Sequence, residues 1–187
     1  MNMQDPNADV EAVLDFWFSD SSRPLWFKST PEFDAQIRAR FETLWLQAQA
    51  GELDHWADSA NGALALVILL DQFPLNMYRH DARRYATEAR SRNIAEQAIT
   101  RGWDVSLSAE QKSFLYLPFM HSESLADQER SLALFTAADL RDNLRWARHH
   151  YDIIARFGRF PHRNAAMDRT STQAELDWLN SEEGFSG

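Results

Sequence analysis

The chain of 187 residues has no cysteine, only six glycines and six prolines, and two lysines beside seventeen arginines. Without cysteine there is no disulfide framework, no thiolate nucleophile, and no zinc-finger or iron–sulfur ligand set. The few glycines and prolines exclude collagen-like repeats and low-complexity linkers. Met1–Val10 is polar and acidic, so it lacks the apolar stretch of a secretory signal. The longest uninterrupted apolar run is Ala63–Leu70, eight residues, against roughly 20 for a helix that spans a bilayer. A basic excess is missing as well: 19 Lys and Arg face 28 Asp and Glu, for a net charge of −9. Nucleic-acid affinity rests on the opposite sign. The expectation is a cytoplasmic protein with neither nucleic acid nor membrane as partner.

What is present is core material. Apolar residues make up 44% of the chain, with seven Trp, four Tyr and twelve Phe. Each aromatic buries roughly 150–250 Å² when enclosed, so one domain over 1–187 needs no metal to be stable. Charge is spread unevenly. Residues 1–70 carry −7, whereas Arg141–Arg169 holds seven Arg against three Asp, beside His149, His150 and His162. Arginine forks suit carboxylate and phosphate.

The punctuation is helical. Asp9 is expected to cap a first helix through Trp17, and Thr30-Pro31 opens a second that stops at Gly51. Ser59 or Asn61 opens a third through Leu64–Phe73, ended by Pro74. Its apolar residues cover every face, which predicts a central buried helix. Asp81 is expected to begin a long helix to Thr100, and Ser108–Gln111 and Thr172–Glu175 are capping boxes. Pro118 should bend or end the helix that the first box opens. Ser124 starts a further helix, and another runs from Arg141 to Phe157, with Gly158 placed to end it. No stretch alternates as a strand would. The class is all-α, seven to nine helices in antiparallel pairs with short connections. The ends, Met1–Asn7 and Gly184–Gly187, are expected to fray.

Three segments carry chemistry-bearing side chains. Asp71 and Gln72, with Asn76 and Arg79, follow the most apolar helix, where an acid and an amide must find partners. His121 and Glu123 stand at a helix-to-helix corner. In the Arg141–Phe157 helix, His149 falls on a charged face, while His150 joins Trp146, Ile153 and Phe157 on an apolar strip. Beyond it, Arg156, Arg159, His162, Arg163 and Asn164 alternate with Phe, Gly and Pro. Pro161 suits the first position of a new helix whose free N–H groups could receive an anion. His121, His150 and His162 are candidate proton-transfer groups, oriented by Glu123 or Asp71. Asp71, Gln72, Arg79, Arg156, Arg159, Arg163 and Asn164 are candidate ligand contacts. His121 and Glu123 with His150 and His162 could make a His/carboxylate metal site, but no HExxH, Gly-rich phosphate loop, GxSxG elbow or dinucleotide fingerprint occurs, so no metal set is assigned and the sequence names no cofactor.

DQFPLNMYR (Asp71–Arg79), FLYLPFMHSESLADQE (Phe114–Glu129) and HYDIIARFGRFPHRN (His150–Asn164) resemble the signatures of a bacterial family, domain of unknown function 924. VLDFWF (Val13–Phe18) and WFKSTPEFD (Trp26–Asp34) fit it too. The resemblance implies a tetratricopeptide-like helical fold and no particular reaction. Two departures stand out. Leu75 occupies a position where Arg is usual, and Met167-Asp168-Arg169 replaces Leu-Gly-Arg, which strains a turn that favours glycine. Three readings stay open. One is a pocket where the three motifs meet to bind, and possibly hydrolyse, a small anionic molecule. Another is a non-enzymatic scaffold for a peptide or protein. In the third the polar motif residues knit a buried network that only fixes the packing of the helices.

Overall fold

Local capping sets where most helices begin and end. The computed structural model describes residues 7–79 and 81–184, and among these there are helices and no strand. Residues 1–6 and 185–187, where fraying was expected, lie outside the described residues. Taking Ala60–Met77 as one continuous helix gives eight α-helices among the described residues, within the expected number. The chain divides into two compact units, one of residues 7–79 and 83–118, the other of residues 81–82 and 119–184.

In the first unit, α1 (Ala8–Trp17) begins at Asn7 without a side-chain cap, so Asp9 lies in the first turn instead of before it. There its carboxylate favours the positive end of the helix dipole. α2 (Pro31–Ala50) starts as read: Thr30 accepts from the Phe33 N–H, and Gly51 closes it at φ +87°. Phe33, Ile37, Phe41, Trp45 and Ala48 form its buried stripe. They meet an aromatic cluster in which Phe16 stacks on Phe33 at 5.6 Å and Phe41 lies 4.7 Å from Phe73.

The central helix departs from expectation. Ser59 caps α3 (Ala60–Val67), but Pro74 does not end it. A π-helical turn, Ile68–Gln72, leads into α4 (Phe73–Met77), and the Phe73 N–H reaches the Ile68 carbonyl five residues back. The wider turn relieves the clash a proline ring makes in a regular helix. Pro74 also has no N–H for the Leu70 carbonyl. That oxygen accepts from the Thr87 hydroxyl at 2.5 Å, and Thr87 accepts from the Trp45 indole N–H at 3.2 Å. Ala60–Met77, which contains the eight-residue run noted above, is by length and composition apolar enough to cross a membrane, and 83% of it is buried inside the protein. That is the position expected of a central core helix.

Asp81 does not start a long helix. Ala82–Tyr85 form a 3-10 turn, and α5 runs over Glu88–Thr100. Thr87 stands before it without capping it, because its hydroxyl is committed to Leu70 and Trp45. α6 (Ala109–Met120) opens on the expected capping box, Ser108 with Gln111, and passes through Pro118 to Met120.

The second unit holds α7 (Leu125–Ala137), α8 (Arg141–Phe157) and α9 (Gln173–Leu179). Only residues 138–140 join α7 to α8, so the two helices fold back on each other. Their neighbour core is Ile153, Ile154, Phe160 and Trp178. Trp146 is 47% exposed, so the apolar strip begins at His150 and runs through Ile153 to Phe157, which packs on Trp178. Ser124, Gly158 and Thr172 punctuate these helices as the sequence suggests.

Candidate functional site

Each unit gathers one set of the motif residues. In the first unit, Asp71 sits on the π turn, 1% exposed, and accepts from the Gln72 amide at 2.5 Å. Asn76 donates to Ser29 and to Asp34, at 3.0 and 2.8 Å. Arg79 grips the same Asp34 carboxylate with Nε and Nη2, at 2.9 and 3.0 Å. The fork of Arg79 is thus occupied by a carboxylate of the α2 first turn. Leu75, where Arg is usual, is half-buried.

In the second unit the organising device is a looped strap after α8. Gly158 takes φ +70° at the end of the helix, and Pro161–Arg163 make a single 3-10 turn. This corrects the expected new helix with free N–H groups. The Arg163 and Asn164 N–H groups donate to Phe160 and Pro161 carbonyls, and the Phe160 N–H donates to Glu123 at 2.8 Å. The chain's own carboxylate takes the place foreseen for an anion.

Two Arg–Glu forks tie the strap down. Arg159 donates Nε and Nη2 to Glu175, at 2.6 and 2.8 Å, and Nη2 also reaches the Thr170 carbonyl at 3.0 Å. Glu175 is 2% exposed and also accepts from the Thr172 N–H at 2.7 Å and the Asn164 amide at 3.3 Å. The Arg159 fork draws its carboxyl down to about 2, against burial, with help from Thr172 and Asn164. Arg169 pairs with both Glu123 oxygens, at 2.7 and 2.9 Å. Burial alone would raise Glu123, but Arg169 and the Phe160 N–H outweigh it and hold the carboxyl below its usual range. Asn164 further donates to Ser171 at 3.0 Å.

Phe160, fully buried, is the hub. The His150 and His162 rings each lie 5.5 Å from its ring, and the Arg163 guanidinium stands over it at 4.6 Å. Arg163 also donates to the His121 carbonyl at 2.8 Å. His150 is 8% exposed, and its Nδ1 lies 2.9 Å from the Trp146 carbonyl. A carbonyl only accepts, so Nδ1 carries the proton and Nε2 the lone pair. Burial pushes His150 down to about 3, partly offset by the Trp146 carbonyl and reinforced by His121, His149 and Arg163. It is a neutral imidazole at physiological pH. Glu123 is held as an anion. Neither is set up to donate a proton near neutrality.

Arg156 is more than half exposed and only 3.9 Å from Glu183. Gln128, a motif residue, closes the end of α6 by donating to the Met120 and Ser122 carbonyls, each at 2.7 Å. Arg169, Ser171 and Glu175 were not read as site residues. Glu175 had a visible signal as the last residue of a capping box. Arg169 had only its membership of the basic stretch. Asp168 stands at φ +53°, a left-handed backbone that favours glycine. Asp168→Gly should therefore raise stability by about 0.5–1 kcal/mol, measurable as a higher urea midpoint.

Among the described residues no group of three or more His, Cys, Asp or Glu is placed to hold a metal ion. No curated protein matches the chain. A solved structure of a protein of unknown function from Agrobacterium tumefaciens, ATU0120, is 40% identical, with a TM-score of 0.89. The match covers 94% of this chain and 99% of that one. The model of the family described as bacterial protein of unknown function (DUF924) matches residues 13–183, and the chain belongs to that family.

Proposed function

We propose that the protein binds a small anionic molecule through the imidazoles and the guanidinium gathered around Phe160. The observation that carries this reading is the convergence of His150, His162 and Arg163 on one buried ring. The two flanking forks cancel charge within themselves: Arg159 with Glu175, and Arg169 with Glu123. The Arg163 guanidinium stands over the same ring at 4.6 Å. On this reading Arg159 and Glu123 are positioning residues, and His121, His162 and Arg163 supply the contacts. His150, neutral with a fixed tautomer, serves recognition better than proton transfer. The reading is therefore one of binding, with no step of hydrolysis assigned. The tetratricopeptide-like ancestry implied by the resemblance belongs to this reading, supported by helices with short connections.

The test is thermal stabilisation by inorganic phosphate, citrate and succinate. At saturating anion the wild-type melting temperature should rise, as mass action requires. His162 is half-buried, and His162→Ala, with its fold checked by circular dichroism, should lose most of the rise. An equal rise in both proteins, or no rise with any of the three anions, overturns the reading.

A further inference from the structure

A second place in the same unit has the chemistry of a binding site, and it shares no residue with the Phe160 cluster. The α7–α8 corner encloses a groove of about 370 Å³, near the lower end of ordinary ligand pockets. Its apolar side is Phe135, Leu140 and Leu144, and its rim is Arg141, Arg145 and Arg148. The arginines follow one another at spacings of four and three residues, so one face of α8 carries all three. Phe135 is fully buried beneath, while Leu140 and Leu144 are half-buried.

Asp139 lines the groove and accepts from Arg141 Nε at 3.0 Å. Asp142 and Asp152 lie on the same helix outside the lining. Arg145 lies 5.6 Å from the Trp146 ring, a loose contact. Among the lining residues three guanidinium groups meet one carboxylate, so the rim is positive. A positive rim over an aliphatic floor fits a ligand with two unlike ends.

We propose that this groove binds an amphiphilic anion, a carboxylate head on an unbranched alkyl chain. Arg145 and Arg148 hold the head, and Leu140 and Leu144 hold the chain. The forked donors favour a planar carboxylate. The floor removes alkyl surface from water.

Octanoate is the probe. Titrated into the full chain and followed by amide chemical shifts, it should move resonances of residues 135–148 first. Octanol and inorganic phosphate each supply half of the chemistry and, read from the resonances of residues 135–148, should bind this groove at least about tenfold more weakly. The double variant R145A/R148A changes only exposed side chains, so it should keep its melting temperature and lose about tenfold in octanoate affinity, the worth of one good charge-assisted contact. Octanol binding as well as octanoate would reduce the groove to a greasy patch. Unchanged octanoate affinity in the double variant, first shifts outside 135–148, or no binding also overturns the proposal. His162→Ala leaves octanoate binding unchanged, so this site and the Phe160 site stand or fall separately.

Discussion

Glu175→Gln is expected to lower the unfolding free energy at pH 7 by about 3 kcal/mol, read by urea denaturation. The carboxylate is 2% exposed and collects four donated hydrogen bonds, two from Arg159, one from Thr172 and one from Asn164. An amide in its place sets an N–H against donors and removes the charge that Arg159 faces. The pH dependence identifies the cause. In the folded chain the Glu175 carboxyl titrates at about 2, against 4.5 ordinarily. A depressed pKa gives stability that is complete above the ordinary value and is lost as pH falls toward the folded one. The gap between wild type and Glu175→Gln should close between about pH 4.5 and pH 2. His150, whose folded pKa is also depressed, weakens both proteins alike in acid and drops out of the difference. A gap that stays constant with pH would mean that shape, not charge, was lost.

Thr87→Val is expected to cost about 2–3 kcal/mol, and Thr87→Ser to cost much less. Thr87 is 2% exposed, and its hydroxyl both donates to Leu70 and accepts from Trp45. Valine keeps the volume and removes both hydrogen bonds. Two buried polar groups then lack partners, one of them the carbonyl that Pro74 cannot serve. Serine restores the oxygen. Because Thr87 makes no capping bond to α5, the loss cannot come from the helix start. Equal stability of the valine and serine variants in urea would remove the network from the account.

The helical class and most helix ends were legible because their causes are local. Thr30-Pro31, Ser59, Ser124, Gly51, Gly158 and both capping boxes act within a few residues of themselves. The failures have non-local causes. Pro74 reads as a stop, and its bypass needs both the widened turn before it and Thr87, 17 residues beyond the Leu70 carbonyl that it serves. The same commitment of Thr87 shortens the helix expected from Asp81.

The candidate site was legible in residue type more than in partnership. Arg159, Arg163, His150 and His162 do gather about Phe160 and α9. Yet the forks that orient them join residues 16 and 46 positions apart, and no periodicity reports such pairs. Arg169 was overlooked for that reason. The sequence shows an abundance of cations in this stretch. It does not show which of them the chain neutralises for itself.

The widened turn at Ile68–Gln72 also sets how this chain tolerates length changes. It amounts to one inserted residue in an otherwise continuous rod, and the turn absorbs it, so the windings on either side stay in phase. Deleting one residue there would restore ordinary winding and leave Asn76 and Arg79 directed at the Asp34 carboxylate. The same deletion within Ala60–Val67 would swing everything after it by about 100°. What a deletion in the turn forfeits is the room for Pro74, whose ring would then meet a regular helix.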